Sequence, residues 1–309
     1  VSDGLGAASR GIARTVPGPA RAGIRALWCR VQVARARRRW SEAPPSGPLD
    51  ASRIEPLARR YPVRESAYGY SPDALAARGH ERAAQLAPYA RSGRAILEIG
   101  SADGMTACAL AAGGCRVTAV DIDTSRTDAR ARAAGVTVRE MDATRLQLPD
   151  ASFDLVYSFN VFEHLPDPAA TFDEIVRVLR PGGVLSIAFG ALRWSPHGAH
   201  LYKQIGIPYV TVLFEEADVL EYLRRRGRPV APPWVNDYSI ERFRAVFRRH
   251  AAAVPVVRYR ETRNRWHAAL IAEHAGTFRR RAPSFESLLV DSVHVVARKR
   301  PEGAPAARG

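Results

Sequence analysis

Between residues 95 and 189, short apolar runs alternate with helix-like stretches, and this alternation restricts the fold more than any other feature of the chain. The runs are AILEIG at 95–100, RVTAVD at 116–121, VTVREM at 136–141, FDLVYS at 153–158 and a strand at 184–189. Helical pattern separates them: one helix runs through Leu110, one from about Ser125 to Ala134, and one from Asp167 to Leu179, stopped by Pro181-Gly182-Gly183. Nearly continuous apolar strands joined by helices form a parallel sheet covered on both faces. Two more strands, near 254–260 and 289–297, bring the count to seven. The expected fold is α/β: a Rossmann-like, doubly wound, mostly parallel seven-stranded sheet with helices on both faces and an insertion after strand five.

Other segments divide around that frame. Residues 1–50 hold nine Arg against Asp3, Glu42 and Asp50, and close with the breaker-rich APPSGP. Within them Ile24, Leu27, Trp28 and Val31 recur at i, i+3, i+4, i+7, the period of one helix face, with Arg21, Arg25, Arg35 and Arg37-Arg38-Arg39 around it. A basic amphipathic helix of this kind lies on an anionic membrane surface or packs on protein. Residues 51–300 form the main domain, which opens with a helix from Ser71-Pro72 to about Tyr89. The half that follows spans 94–190, and an aromatic, His- and Pro-rich insertion spans 190–238. Helices are expected from Glu215 to Arg226, from Ser239 to about His250 and from Asn264 to Arg281. The tail 301–309 is expected to fray.

Composition narrows the classes. Lys plus Arg is 46 against 31 acids, a formal +15, which suits polyanions but is also what an Ala- and Arg-rich composition gives by itself. The three cysteines form no CxxC pair, so neither disulfide framework nor zinc site is read, and a reducing cytoplasm fits. Apolar runs are too short to span a bilayer. The expected location is cytoplasmic, with the first helix as a peripheral contact to the inner membrane face.

Ligands of open parallel sheets bind beyond the carboxyl ends of the strands. Strand one ends in Glu98-Ile99-Gly100-Ser101-Ala102-Asp103-Gly104. Gly100 and Gly104 read as places where a Cβ would meet a ligand, and the Glu98 carboxylate as a partner for an ammonium group. Asp121 ends strand two, where an acid accepts ribose hydroxyls. Asp142 ends strand three beside the small Ala143, a pair suited to an adenine edge. A pyrophosphate would meet repulsion from Asp103, and the G-x-G-x-x-G spacing is absent, which disfavours a nicotinamide dinucleotide.

With ILEIGSADG, VDID, MDATRLQLPDASFDLV, SFNVFEHLPDP and LRPGG in this order, the chain resembles the class I S-adenosylmethionine-dependent methyltransferases, in the small-molecule branch that includes quinone-ring methylases. The resemblance runs from Arg94 to about Phe189. It implies that Glu98 and Gly100 face the methionine moiety of S-adenosyl-L-methionine, with Ser101 and Gly104 of the same loop also among the cofactor-binding residues. Asp121 would take the ribose, Ile122 an adenine face, Asp142 and Ala143 the adenine edge, and Asn160 would lie beneath the methionine. Ala102 stands where the family usually has glycine.

The expected reaction is in-line methyl transfer to a small-molecule or glycan acceptor, at a hydroxyl oxygen, under a cover formed by the insertion. His164, His197 and His200 are the candidate bases; the i, i+3 spacing of the last two suggests a shared helical face. That His-x-x-His pair shows no third ligand in the sequence, so no metal is expected. An RNA methyltransferase is the alternative, but no appended RNA-binding module is visible and no Asn/Asp-Pro-Pro-Tyr segment follows strand four. A non-catalytic scaffold that binds a nucleotide-like ligand or a membrane is the other.

Overall fold

The structure, a computed structural model, describes residues 18–62, 69–228 and 235–303; the start of the basic extension, part of the insertion and residues 304–309 of the expected tail lie outside them. Strands β1 (Ala95–Ile99), β2 (Arg116–Asp121), β3 (Thr137–Glu140), β4 (Phe153–Phe159), β5 (Leu179–Gly190), β6 (Val256–Arg263) and β7 (Val290–Arg298) form one sheet in the order β3-β2-β1-β4-β5-β7-β6. The first five pair in parallel, and β7 runs antiparallel to both β5 and β6. The strand order reverses between β1 and β4, so the carboxyl ends of these two strands flank the crevice where ligands collect.

Side-chain alternation along β1 divides the interior. Leu97 and Ile99 face a core with Phe172 and Ile175 of α5 (Pro168–Val178) and Phe243 and Phe247 of α7 (Ile240–Arg248). Ile96 faces the opposite core with Leu86 of α2 (Pro72–Leu86), Ala107 and Leu110 of α3 (Met105–Ala112), and Ala131 of α4 (Ala129–Ala133). Ser71 caps α2, its Oγ accepting from Ala74 N, with Pro72 in the first turn.

A third core stands apart from the sheet. It joins α1 (Gly18–Glu42), α6 (Glu216–Arg225), α8 (Ala268–Glu273), α9 (Ala275–Arg281) and α10 (Phe285–Leu289) around Leu201, Tyr209 and Phe214. The segment after β5 thus packs with both a preceding helix and late ones.

Local chemistry moves several expected boundaries. The helix expected from Ser125 starts only at Ala129, because Asp123 accepts from Ser125 N in a turn and Asp128 then caps a new start at Arg130 N. The single helix expected over 264–281 is two, broken at His274 (φ −115, ψ 36). Strand β5 begins at Leu179 and carries the Pro-Gly-Gly turn within it. In α1 the expected apolar face is not the packed one: Ile24, Leu27, Trp28 and Val31 are exposed, while Cys29 and Ala36 are buried and Val33 and Trp40 pack beside them. Leu270 and Ala272 of the expected 264–281 helix lie in this third core. No described helix is long and apolar enough to cross a membrane.

Candidate functional site

A cleft of about 900 Å³ opens at the carboxyl ends of β1, β2 and β4. Gly100, Ser101, Asp121, Ile122, Asp142, Ala143 and Asn160 line it from the sheet side. His164, His197, His200 and Asp291 line it from the loops after β4 and β5 and from β7. Of the twelve residues selected in the sequence, Glu98 and Gly104 alone do not reach its wall.

The loop after β1 is tied to the end of β2. Asp121 accepts from Ala102 N at 2.8 Å and from Asp123 N at 3.2 Å, which fixes the turn and leaves further lone pairs on both oxygens. Asp103 accepts from Met105 N at 2.9 Å and starts α3. A Cβ on Gly100 would come within 2.2 Å of Val161 Cγ2, so that glycine is required by the loop after β4 and not only by a ligand. A Cβ on Gly104 would meet Ala131 at 3.1 Å, which makes it a packing position of α3.

Polar atoms around this loop await partners. Ser101 lines the cleft and is buried, and its Oγ has no partner. Glu98 is fully buried behind the wall beside Tyr157, and one of its oxygens is also unpartnered. Burial pushes its carboxyl up to about 8, opposed by the Tyr157 hydroxyl and the positive charge of Arg82. Ile122 is 75% exposed at the rim, an apolar surface on which a flat base can rest. Asp142 accepts from both Thr144 N and Oγ1 at 2.8 Å. An acidic, phosphate-repelling loop with unpartnered acceptors fits a cationic sulfonium nucleoside.

The histidines separate into two groups. His197 Nδ1 lies 2.8 Å from Asp291 Oδ2, and its ring meets His267 edge-on at 6.5 Å. Burial, with His197 second, pushes His267 down to about 4 and keeps it neutral. His200 leaves its sequence neighbour and sits with His164, ring centroids 5.5 Å apart. Asn236 braces the turn that carries His164, donating from Nδ2 to Phe162 O at 2.7 Å and Leu165 O at 3.0 Å. Within that turn Glu163 is buried and accepts from Gly190 N at 3.0 Å; burial pushes its carboxyl up to about 8.

Sequence reasoning missed Asp291, Tyr70, Arg78 and Arg82, all on the cleft wall. Asp291 left one signal, a lone acid inside the apolar run LLVDSVHVV. Arg78 and Arg82 stand one helical turn apart on α2, just ahead of the glycine loop.

Comparison with known proteins places this cleft in context. Residues 97–187 match the methyltransferase domain family. A protein of Mycolicibacterium smegmatis named as a probable S-adenosylmethionine-dependent methyltransferase is 36% identical over 147 residues, 45% of this chain and 57% of the relative. The 27-O-demethylrifamycin SV methyltransferase of Amycolatopsis mediterranei is 33% identical over 172 residues, 52% of this chain and 62% of the relative. The chain thus spans little more than half the length of these curated relatives. An S-adenosylmethionine-dependent methyltransferase from Mesorhizobium loti superposes with a TM-score of 0.45 at 20% identity, over 71% of this chain and 96% of that one.

Proposed function

We propose that this chain, which carries a class I S-adenosylmethionine-dependent methyltransferase domain, methylates a hydroxyl oxygen of a small-molecule or glycan acceptor. One observation carries the reading: the carboxylate-held His197 faces the same cleft as Asp121 and Asp142. S-adenosylmethionine supplies, when bound, a methyl group on a positively charged sulfur that a nucleophile can displace in line. Asp121 would accept from the ribose hydroxyls, Ile122 would support the adenine, and Asp142 and Ala143 would receive its edge. Ser101 and Asn160 flank the methionine portion, and Arg78 and Arg82 are placed for its carboxylate.

On the acceptor side, Asp291 Oδ2 accepts a hydrogen bond from Nδ1–H of His197, a pairing that leaves the lone pair on Nε2. That nitrogen would remove the proton of an acceptor hydroxyl as its oxygen takes the methyl group that the bound cofactor would supply. The relative named for 27-O-demethylrifamycin SV supports an oxygen acceptor. Calorimetry with S-adenosylmethionine tests the first half: Asp121→Ala should lose binding, and unchanged binding would sink the reading. The second half is tested in cell extract with labelled cofactor, by mass spectrometry for a gain of one methylene. There His197→Ala should lower turnover by roughly 10²–10⁴-fold with cofactor affinity kept.

A location accompanies this activity. At roughly 100° per residue, Ile24, Leu27, Trp28 and Val31 lie opposite the packed side of α1. Arg30, Arg35 and Arg39 are exposed and make no ion pair among the described residues. An apolar strip that continues into arginines supports docking on an anionic lipid surface rather than on nucleic acid, because the aromatic and aliphatic groups need a medium to enter.

A further inference from the structure

We propose that Glu163, His164 and His200 form a binding site for a divalent first-row transition metal on the acceptor side of the cleft. Each offers one ligand atom, and these atoms all lie within 4.8 Å of one another. Two separate segments supply them: the turn Phe162–His164 after β4 and the turn Gly198–His200 after β5. Bonds of roughly 2.1 Å need ligand atoms about 3–4 Å apart, so small side-chain rotations close the site.

The carboxylate points to a ligand independently of the imidazoles. Glu163 is 0% exposed, and Gly190 N satisfies Oε1, but Oε2 has no partner. A buried carboxylate oxygen left without a donor is costly, and a cation between it and two imidazoles removes that cost. His200 is held at φ 56, a left-handed conformation that a non-glycine residue adopts at a cost, and the turn so formed carries its ring to His164. His197, three residues earlier, is kept out of the cluster by Asp291.

Two neutral imidazoles and one carboxylate select zinc, iron, cobalt or manganese over magnesium or calcium. Three protein ligands leave coordination positions open, and His164 and His200 line the cleft, so an acceptor oxygen can complete the set. That last role rests on the oxygen-acceptor reading above; metal binding itself does not.

The test is titration of the metal-free protein with Co²⁺, followed by visible absorption, with S-adenosylhomocysteine binding measured on the same samples. One equivalent of Co²⁺ should give d–d bands, and His200→Ala should weaken uptake by at least roughly tenfold while S-adenosylhomocysteine still binds. His164→Ala should behave alike, and circular dichroism confirms that both variants fold. Absence of stoichiometric uptake, or uptake that survives His200→Ala, overturns the site. Loss of S-adenosylhomocysteine binding by the unmutated protein would instead overturn the methyltransferase reading, because the Co²⁺ bands require no cofactor.

Discussion

Ala102 is held at φ 46 where the loop after β1 turns, and its N–H bonds to Asp121. The left-handed region penalises a Cβ, which glycine lacks. Ala102→Gly should therefore raise stability by about 0.5–1 kcal/mol once the greater freedom of the unfolded glycine is subtracted, read from urea denaturation. Glu98 makes a pH prediction. Its folded-state value near 8 lies above the ordinary 4.5, so the native state holds the proton more tightly across that interval. Stability contributed by this group is complete below 4.5 and is lost as pH rises through 8. Denaturation midpoints should fall between pH 4.5 and 8 and level off above that, and Glu98→Gln should remove that part of the slope. At this scale the place of Asp121 and Asp142 on the cleft wall was legible, because ligands of a parallel sheet collect at the carboxyl ends of its strands, whereas Glu98 lies behind that wall. Asp291 was not, since its partner His197 lies 94 positions away. The His197 and His200 pairing failed because a single 3-10 turn ending in the left-handed His200, not an α-helix, sets the direction of the second ring.

The helix α1 shows what periodicity leaves open among elements. It carries two stripes, and the sequence favours the more apolar one. Packing chose the other because Cys29 and Ala36 are small enough for close helix approach, while the flanking arginines find fixed partners. Arg25 lies 4.5 Å over the Trp266 ring, and Arg37 reaches Glu286 at 2.6 Å. Two variants separate the stripes. Ala36→Glu puts a charge into a fully buried seat and should cost several kcal/mol in stability, on the order of 3. The pair Leu27→Ser and Trp28→Ser should change stability by less than about 0.5 kcal/mol each and abolish co-sedimentation with anionic vesicles. Sedimentation that persists in the pair, or that is equally strong with neutral vesicles, would contradict the lipid reading.

Across the whole molecule, the parallel half was legible because its strands and helices alternate in a short stretch of chain. The third core was not, since it assembles α1, the segment around Leu201 and the helices near Phe278 from distant parts of the sequence. This division predicts a separable defect. Removing residues 1–42 strips one wall from the third core and leaves the cleft's sheet side intact. Acceptor KM should rise while S-adenosylhomocysteine affinity, measured by calorimetry, holds; loss of both together would show that the two halves are not independent.

The inward side of α1 shares its apolar cluster with Leu201 and Ile205, which follow the His200 turn directly. A surface seated on the outward side would then be one helix thickness, about 10 Å, from the packing that supports the histidine loop. An acceptor dissolved in that surface would be searched for in two dimensions. Its effective concentration, more than its affinity in bulk water, would govern how often it meets the methyl donor.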